Sequence, residues 1–331
     1  MKAIVLDGFG DVDVMRVGEV ETPEPGENQV RIRVVATSVN RADLVQRQGN
    51  YPPPPGASEI LGLEAAGVVD KTGPGVQSGS WQPGDRVMTL LTGGGYAEYV
   101  VAPAEHLIPI PGSMPFEQAA CISEVYITAF LNVFSIAGFQ AGETVLLHGG
   151  GGGVNTAGIQ LCRTLVAGGR ILVTASSGKV ARVEALGAHR VIDYQREDFS
   201  REVRTFTRDH GADVILDHIG AGYLTANLEA LAIGGRLVII GLMGGATAEL
   251  NLGRLMVKRQ RIIGSVLRAR PVDEKTAIVA AFRKEVMPHI SSGAIAPILH
   301  RVFPLEQAAE AHREMAASRH FGKIALQVQA P

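Results

Sequence analysis

The stretch VLLHGGGGGVNTAGIQLC, residues 145–162, decides the fold of this chain. An apolar run leads into five consecutive glycines, Gly149–Gly153, and then into a helix pattern of small and apolar residues. In a dinucleotide-binding turn, one glycine makes the tight turn, a second admits the pyrophosphate, and a third lets the helix pack on its strand. Gly150 and Gly152 fit the first two positions, and Asn155 occupies the third. The stretch therefore predicts a strand, a phosphate-binding turn and a helix.

Five further apolar runs follow at intervals that each leave room for a helix. The predicted strands are Val145–Leu147, Ile171–Ala175, Arg190–Asp193, Val214–Asp217, Arg236–Ile240 and Arg261–Ser265. Continuous Val/Ile/Leu strands with intervening helices are typical of a parallel sheet that is covered on both faces. Six such units predict a doubly wound Rossmann domain, which we place at residues 123–265.

The rest of the chain has a different pattern. Short β-type runs, such as Lys2–Leu6, Gln29–Thr37 and Asp85–Leu90, are separated by turns rich in Pro and Gly. They predict a small β-barrel or sandwich over residues 1–122, and we assign residues 266–331 to the same domain. The run Glu124–Ala137 predicts a helix at the start of the second domain. The fold class is therefore α/β with two domains.

The composition restricts the class of partner. The chain has 31 Lys and Arg against 33 Asp and Glu, so its formal net charge of −2 gives no overall attraction to nucleic acid or acidic membranes. Only two cysteines, Cys121 and Cys162, are present, which excludes a disulfide framework and fits a reducing compartment. We find no signal peptide and no run of about 18 apolar residues, and we expect a cytoplasmic protein.

The end of the second predicted strand favours one cofactor over another. Enzymes that bind NAD usually place Asp or Glu there to hold the ribose 2′-hydroxyl. Here the strand is followed by Ser176, Ser177, Gly178 and Lys179. Without a carboxylate, serine and lysine can donate hydrogen bonds to a 2′-phosphate, which favours NADPH over NADH. The alternative is that Lys179 is a solvated lysine near a helix start.

Several motifs together resemble one family over nearly the whole chain. They are NRADLVQRQGNY (40–51), LGLEAAGVV (61–69), GDRV (84–87), GGYAEYV (94–100), DHIG (217–220), GLMGG (241–245) and PLEQAAEAH (304–312). In these motifs the chain resembles the zinc-free quinone oxidoreductases of the medium-chain dehydrogenase/reductase superfamily. It most resembles the branch that a tumour suppressor induces in animals. The resemblance implies a GroES-like β-barrel catalytic domain, a Rossmann domain that binds NADPH, and a homodimer.

The zinc ligands of related dehydrogenases are missing from the matching motifs. Zinc-dependent relatives carry a Cys-His pair in the first motif and Gly-His-Glu in the second. This chain has Arg41 and Ala42 near the first pair and Leu63 in place of the second histidine. Leucine cannot ligate zinc, and we interpret His148 and His218 as structural residues. We therefore expect no metal and a zinc-independent reaction.

The resemblance also implies roles for individual residues. The nicotinamide would contact Thr128, and the pyrophosphate would be lined by Gly150, Gly153 and Val154. The 2′-phosphate would be held by Ser176, Lys179 and Tyr194. The ribose and nicotinamide would be flanked by Gly220, Gly241, Leu242, Ser265 and Leu267. The segment between Thr174 and Leu186 is one residue shorter than in close relatives, which affects where Lys179 is directed.

The predicted reaction is hydride transfer from C4 of NADPH to a quinone or an electron-poor enone. The protein must stabilise the oxyanion that develops on the carbonyl, and we assign this to Asn40 and Tyr51 as neutral hydrogen-bond donors. Tyr51 or solvent would supply the final proton. The alternatives are a turn-stabilising asparagine and a tyrosine packed on the following prolines. Asp43 would orient the loop.

Three functions stay open at this point. The first is NADPH:quinone oxidoreductase, and the second is NADPH-dependent reduction of alkenal or enoyl double bonds. The third is a cofactor-gated RNA-binding or structural protein, for which the only support is the basic cluster Val257–Arg270. We expect a small quinone or enone as partner together with a second copy of the chain, and neither a membrane nor a nucleic acid.

Asn155 carries a separate expectation. At the position of the third glycine, its side chain would either reach into the phosphate site or push the helix away from its strand. Both predict weaker NADPH binding than in relatives with glycine. Asn155→Gly would then tighten binding by roughly 1 kcal/mol.

Overall fold

The computed structural model describes residues 1–330, and the chain divides into two compact units. Unit 1 comprises Met1–Ile127 and the chain from Leu267 onward, and unit 2 is Thr128–Val266. The sequence places these boundaries after residues 122 and 265. The first boundary falls inside a continuous helix, where no change of composition or turn marks it.

The strands, numbered in chain order, are β1 Lys2–Leu6, β2 Met15–Glu19, β3 Gln29–Val39, β4 Glu64–Thr72, β5 Arg86–Leu90, β6 Tyr99–Pro103, β7 Leu107–Pro109, β8 Thr144–His148, β9 Arg170–Ala175, β10 Arg190–Asp193, β11 Ala212–Asp217, β12 Leu231–Ile239, β13 Arg261–Gly264, β14 Leu299–Pro304 and β15 Lys323–Gln327. The α-helices are α1 Arg41–Arg47, α2 Phe116–Ala119, α3 Ser123–Phe130, α4 Gly153–Leu165, α5 Val180–Glu184, α6 Phe199–Thr207, α7 Leu224–Ala230, α8 Leu252–Val257, α9 Val272–Glu285, α10 Met287–Ser291 and α11 Ala308–Ala316.

Unit 2 is built on a six-stranded sheet with the order β10-β9-β8-β11-β12-β13, and every neighbouring pair is parallel. This order is the doubly wound arrangement that the sequence predicts. All five residues of β8 are buried, as expected of a central strand with helices on both faces. The strand β12 begins at Leu231 rather than at Arg236, because it continues through Gly234, whose φ of +74° a strand pattern does not anticipate.

Unit 1 contains a mixed sheet in which the eleven-residue strand β3 is central. The order is β14-β15-β3-β4-β5-β7, and β6 also pairs with β3. All of these pairs are antiparallel except β14 with β15. Val30, Ile32 and Val34 of β3 are fully buried and form a core with apolar residues of β4, β5 and β6. Buried and partly exposed residues alternate in the first half of β3, which explains why the sequence predicts a strand with one face on the core.

The predicted helix at residues 124–137 begins at Ser123 as α3 and continues as a π-helical segment, Leu131–Ile136. The helical stretch Phe116–Ile136 is long and apolar enough to span a membrane by length and composition. It is not an uninterrupted apolar run, since Glu117 and Glu124 lie within it, so a search for such runs does not find it. Because 72% of the window is buried inside the protein, the stretch has the character of a core helix, and length with composition is weak evidence for a membrane span.

Candidate functional site

The glycine turn connects β8 to α4 and packs against its neighbours too closely for side chains. Gly149 has a φ of +77°, which favours glycine. A Cβ atom on Gly150 would collide with Cγ1 of Val173, and one on Gly151 would collide with Cδ of Lys179. The main chain of the turn is therefore bare where a pyrophosphate would approach it.

The helix α4 starts at this turn with Gly152 as its N-cap. A Cβ atom on Gly152 would have only the carbonyl oxygen of Gly149 near it, at 3.5 Å. The helix comes close to its strand one turn further on, where a Cβ on Gly158 would lie 3.2 Å from Cδ1 of Leu147. Gly158 was not predicted as the close-packing glycine, although a glycine three residues after Asn155 is the signal for it in the sequence.

Asn155 is buried and its amide is used by the main chain. Its Nδ2 donates a short hydrogen bond to the carbonyl of His148 and a second, of 3.2 Å, to the carbonyl of Gly149. Of the two arrangements expected from the sequence, the one in which this side chain reaches into the phosphate site is therefore wrong. Asn155 instead ties the first turn of α4 to the end of β8, so Asn155→Gly is no longer expected to improve binding.

The side chain of Lys179 lies across the glycine turn. If Gly151 carried a Cβ, the Nζ of Lys179 would be 3.3 Å from it. This places the ammonium group of the residue that follows β9 beside the main chain of the turn. The shortened segment after Thr174 has thus not turned Lys179 away from the glycine turn.

The two serines after β9 differ in their contacts. The hydroxyl of Ser177 donates to Oδ2 of Asp193 at 2.5 Å and is 3.0 Å from Oε1 of Gln195. Ser176, which directly follows β9, and Lys179, whose Nζ lies beside the glycine turn, are the side chains that would bind a phosphate here. Asp193 is the last residue of β10, and it places a carboxylate next to Ser177. The sequence of β9 and the residues after it gives no sign of this carboxylate.

The other cofactor residues of unit 2 follow the carboxyl ends of the remaining strands. Tyr194 follows β10 and is 44% exposed, Gly220 follows β11 and has a φ of +81°, and Leu242 follows β12 and is 56% exposed. Ser265 follows β13, and its buried Oγ has no hydrogen-bond partner within the described part of the chain. In a parallel sheet these ends share one edge, where dinucleotides bind.

Thr128 belongs to α3, and its carbonyl accepts a hydrogen bond of 2.8 Å from Asn132. Its side chain is partly exposed. The bare glycine turn and the unpartnered hydroxyl of Ser265 fit a nicotinamide dinucleotide. Gly220, Gly241 and the glycine turn would hold it through the main chain, and Ser176 and Lys179 through side chains. Leu267, the last of the residues that the resemblance implies, lies in unit 1 and is buried.

His148 confirms its structural interpretation. It is fully buried, its Nε2 lies 2.7 Å from Oδ1 of Asn227, and its Nδ1 lies 3.1 Å from Oγ1 of Thr174. Burial lowers the pKa of His148 to about 3, so the ring is neutral at physiological pH. Its contacts hold β8, β9 and α7 together and leave neither nitrogen for a metal.

In unit 1 the predicted catalytic region is built around a buried carboxylate, Glu64. Its Oε1 accepts hydrogen bonds from Ser38 (2.5 Å) and Asn40 (3.1 Å) and lies 2.9 Å from Nζ of Lys323. Its Oε2 accepts a 2.8 Å bond from the main-chain N–H of Glu124. Four donors from four segments thus fix the negative charge at the start of β4.

Asn40 is held at both ends of its amide. Nδ2 donates to Glu64, and Oδ1 accepts a 2.6 Å hydrogen bond from Lys323. Its main-chain N–H donates to Asp43 at 2.7 Å, at the start of α1. One N–H of the amide remains for a substrate, so Asn40 has less freedom than the prediction of an oxyanion donor assumed. The role expected for Asp43 agrees with its geometry, since it also accepts a 3.0 Å bond from the N–H of Gly62.

Burial changes the protonation of the acids in this region. It raises the pKa of Asp43 to about 6. Burial, together with the charge of Glu64, raises the pKa of Glu124 to about 8. Because this pKa lies above 7, Glu124 carries a proton at neutral pH.

Tyr51 follows α1 and is partly exposed. Its hydroxyl has no hydrogen-bond partner among residues 1–330, and it is therefore available to a substrate oxygen. The guanidinium of Arg268 lies over its ring, with Cζ 5.1 Å from the ring centroid. This contact of Arg268 with Tyr51 was not predicted from the sequence, in which the two residues are far apart.

The residues that would hold zinc do not fit a metal. Leu63 is 1% exposed and packs in the core, and Nη2 of Arg41 donates to the carbonyl of Met315 at 3.1 Å. Within residues 1–330, no group of three or more His, Cys, Asp and Glu side chains is arranged to hold a metal ion. Leu63 and Arg41 thus supply no zinc ligand at the positions where zinc-dependent relatives carry one.

Comparison with known proteins gives the family. Residues 26–112 match the alcohol dehydrogenase GroES-like domain, and residues 186–326 match the family described as zinc-binding dehydrogenase. The quinone oxidoreductase of Sus scrofa is 34% identical over 322 residues, which cover 96% of this chain and 95% of that protein. The chain belongs to the quinone oxidoreductase family.

Solved structures support the family and its fold. An NAD-dependent alcohol dehydrogenase is 33% identical, with a TM-score of 0.87 and coverage of 99% of this chain and 100% of that one. Mycobacterial Rv1454c, solved in complex with NADPH, is 29% identical, with the same TM-score of 0.87 and coverage of 99% and 100%. This member of the quinone oxidoreductase family is thus an oxidoreductase with a GroES-like domain and a nicotinamide-dinucleotide-binding Rossmann domain.

Although one matching family is described as zinc-binding dehydrogenase, this quinone oxidoreductase family member carries Leu63 where zinc-dependent relatives have a histidine ligand. The fold and the family were thus predicted correctly from the sequence.

Proposed function

We propose that this protein is a zinc-independent, NADPH-dependent oxidoreductase that transfers hydride to a quinone. The observation that carries the choice of NADPH is the end of β9, where Ser176 and Lys179 replace the carboxylate of NAD enzymes and Lys179 lies against the glycine turn. Asp193 adds a negative charge nearby, and Arg196 partly balances it, with Nε 3.8 Å from Oδ2.

NADPH, when bound, supplies a hydride from C4 of its nicotinamide. The main chain of the glycine turn would bind the pyrophosphate, and Ser176 with Lys179 would bind the 2′-phosphate. The Tyr51 hydroxyl would donate a hydrogen bond to the acceptor oxygen as charge develops there. Asn40, fixed by Glu64 and Lys323, would orient the acceptor with its remaining N–H.

The basic cluster Val257–Arg270 gives little support to an RNA-binding function. The ammonium of Lys258 donates to the carbonyls of Glu229 and Leu231, at 3.2 and 3.0 Å. Arg268 is buried, and Arg270 pairs with Glu274 at 3.0 Å. Lys258, Arg268 and Arg270 thus make contacts within the protein, and Arg259 and Arg261 are the exposed cations of the cluster, too few for a continuous basic surface.

Replacing Lys179 with alanine should weaken NADPH binding by about 1–3 kcal/mol, the scale of a charged hydrogen bond, and leave NADH binding almost unchanged. The reason is that only NADPH carries the 2′-phosphate. Calorimetry with both cofactors measures the difference. Lys284→Ala, which removes an exposed lysine of α9, is the matched control. Equal losses for the two cofactors would contradict the assignment of Lys179.

Replacing Tyr51 with phenylalanine should lower kcat/KM for the quinone by about tenfold, because one donor to the developing oxyanion is lost while water partly replaces it. Affinity for NADPH should not change. Tyr99→Phe is the matched control, since Tyr99 also has an arginine over its ring, with Cζ of Arg31 at 5.6 Å from the centroid. An unchanged kcat/KM in Tyr51→Phe would leave Tyr51 with a packing role only.

We also propose a homodimer, as the resemblance implies. β13 is an outer strand of its sheet and has one unpaired edge. Four apolar side chains lie close to β13 in sequence or in the neighbouring strand β12. Each is at least 61% exposed: Ile233, Leu252, Met256 and Val257. Such an edge with apolar flanks can pair with a second copy of the chain.

The double change Met256→Asp with Val257→Asp should convert the dimer to monomers, since it places charges in an apolar contact. Analytical ultracentrifugation measures the state, with Val302→Asp, a change of an exposed valine of β14, as the control. A dimer that persists in the double variant would mean that this surface is not the interface.

A panel of acceptors tests the proposed reaction. NADPH oxidation is followed with quinones, 2-alkenals and enoyl thioesters, after exhaustive chelation and with metal content measured by elemental analysis. We expect turnover with quinones and no stoichiometric zinc. Turnover with alkenals or enoyl thioesters alone would favour double-bond reduction, and activity that needs added zinc would overturn the proposal.

A further inference from the structure

Arg268 is a buried cation that the reaction described above does not use. It is 5% exposed, and all three of its nitrogens donate hydrogen bonds. Nε donates to the carbonyl of Thr92 at 2.8 Å, Nη1 to the carbonyl of Tyr51 at 3.3 Å, and Nη2 to Oε1 of Gln46 at 2.8 Å. The planar guanidinium thereby joins the end of α1, the loop after it and the segment after β5.

The loop that carries Tyr51 has few other attachments of this kind. Residues 52–59 contain four prolines in succession and no helix or strand. The side chain of Gln46, which accepts from Arg268, donates through Nε2 to the carbonyl of Glu59 at 2.9 Å. Arg268 and Gln46 therefore bracket the loop, one contact at Tyr51 and the other at its far end.

Arg268 is itself fixed from a neighbouring helix. The Nζ of Lys275, in α9, donates to the carbonyl of Arg268 at 3.3 Å. With its main chain held and its guanidinium bonded on three sides, Arg268 has little freedom to leave the Tyr51 ring. Its Cζ lies 5.1 Å from the ring centroid, within the range of a cation–π contact.

We propose that Arg268 is a positioning residue for Tyr51, which holds the phenol ring and its loop in place and polarises the hydroxyl that donates to the acceptor oxygen. This inference rests on the proposed role of Tyr51 in the reaction. A buried positive charge near the ring favours the build-up of negative charge on the phenol oxygen, which strengthens its hydrogen bond to a developing oxyanion.

The surrounding charges make this effect measurable. Burial and the charge of Glu124 both raise the pKa of Tyr51, and Arg268 is the group that opposes them. Removal of the charge at residue 268 should therefore raise the pKa of Tyr51 further. If Arg268 had a purely structural role, its replacement would move the loop, but the pKa of Tyr51 would not follow the charge at residue 268.

The experiment combines Arg268→Gln and Arg268→Lys with Tyr51→Phe. In the wild-type background we expect Arg268→Gln to lower kcat for the quinone about fivefold, the scale of a cation–π contact. In the Tyr51→Phe background the same change should have little effect, because the hydroxyl on which Arg268 acts is gone. Arg270→Gln, at a partly exposed arginine paired with Glu274, is the matched control.

The second measurement needs neither cofactor nor substrate. The pKa of Tyr51 is followed by carbon NMR of ring-labelled tyrosine, assigned by its loss in Tyr51→Phe. We expect the pKa to rise in Arg268→Gln and to return toward the wild-type value in Arg268→Lys, which restores the charge. If Arg268→Gln does not fold, Arg268→Lys provides the test, because it keeps the positive charge. We then expect only a small loss of kcat and a Tyr51 pKa close to the wild-type value.

Two results would overturn the inference. One is an equal loss of kcat from Arg268→Gln with and without the Tyr51 hydroxyl, and the other is a Tyr51 pKa that does not respond to the charge at residue 268. If Tyr51→Phe alone leaves the reaction unchanged while the pKa still responds, the role of Tyr51 in the proposed function fails and the coupling of the two side chains stands.

Discussion

Replacing Lys323 with methionine should lower the free energy of unfolding by about 3–5 kcal/mol, because it leaves the carboxylate of Glu64 buried without its countercharge. The side chains of the pair are 3% and 0% exposed, and their charged atoms are 2.9 Å apart. The change also removes the donor to Oδ1 of Asn40 and to the carbonyl of Val39. Urea unfolding followed by circular dichroism gives the value.

Two further variants separate the charge from the loss of packing. Lys71→Met breaks an exposed pair with Glu24, and we expect a loss of less than about 1 kcal/mol. Adding Glu64→Gln to Lys323→Met should recover part of the loss, because the uncompensated charge is then gone. A small effect of Lys323→Met, similar to that of Lys71→Met, would contradict the description of Glu64 as a buried anion.

Replacing Glu124 with glutamine should make the protein more stable relative to wild type as the pH rises, with a gain of about 2–4 kcal/mol between pH 4.5 and pH 8. Burial raises the pKa of Glu124 to about 8 in the folded state, above its ordinary value of 4.5. A carboxyl whose pKa is raised on folding stabilises the fold fully below pH 4.5. That stability is lost as the pH rises through 8, and glutamine, which does not ionise, avoids the loss.

The difference in unfolding free energy between Glu124→Gln and wild type, measured at several pH values, isolates this one group from the other titrating residues. Glu285→Gln, at an exposed glutamate of α9, is the control and should change stability by less than about 0.5 kcal/mol. A difference for Glu124→Gln that stays constant from pH 4.5 to pH 8 would show that Glu124 ionises normally.

The sequence predicts the parts of this protein that depend on local pattern. β10 begins and ends where its apolar run does, and the order of the six parallel strands follows from their alternation with helices. The glycine turn could also be predicted from a short stretch of sequence, because a main chain that passes this close to β9 requires consecutive glycines. The resemblance of motifs such as NRADLVQRQGNY adds the family, which composition and periodicity could not supply.

The contacts that the sequence did not predict join residues far apart along the chain. Arg268 and Gln46 are separated by 222 residues, and Lys323 and Asn40 by 283. These residues come together only when the sheet folds. The sequence therefore did not reveal that Lys323 and Glu64 bond both ends of the Asn40 amide, and Asn40 was predicted to be a free donor. Asn155 shows the reverse case, since a side chain that a motif assigns to the ligand instead bonds the strand beside it.

The most direct test of the central claim is a single turnover of the chelated protein with NADPH that carries deuterium at the transferred C4 position and with a quinone in excess. If this chain transfers hydride without a metal, the metal-free protein oxidises bound NADPH in one turnover, and deuterium slows that step. The claim is contradicted if the metal-free protein shows no oxidation that added zinc restores, or if oxidation proceeds at the same rate with and without deuterium in the transferred position.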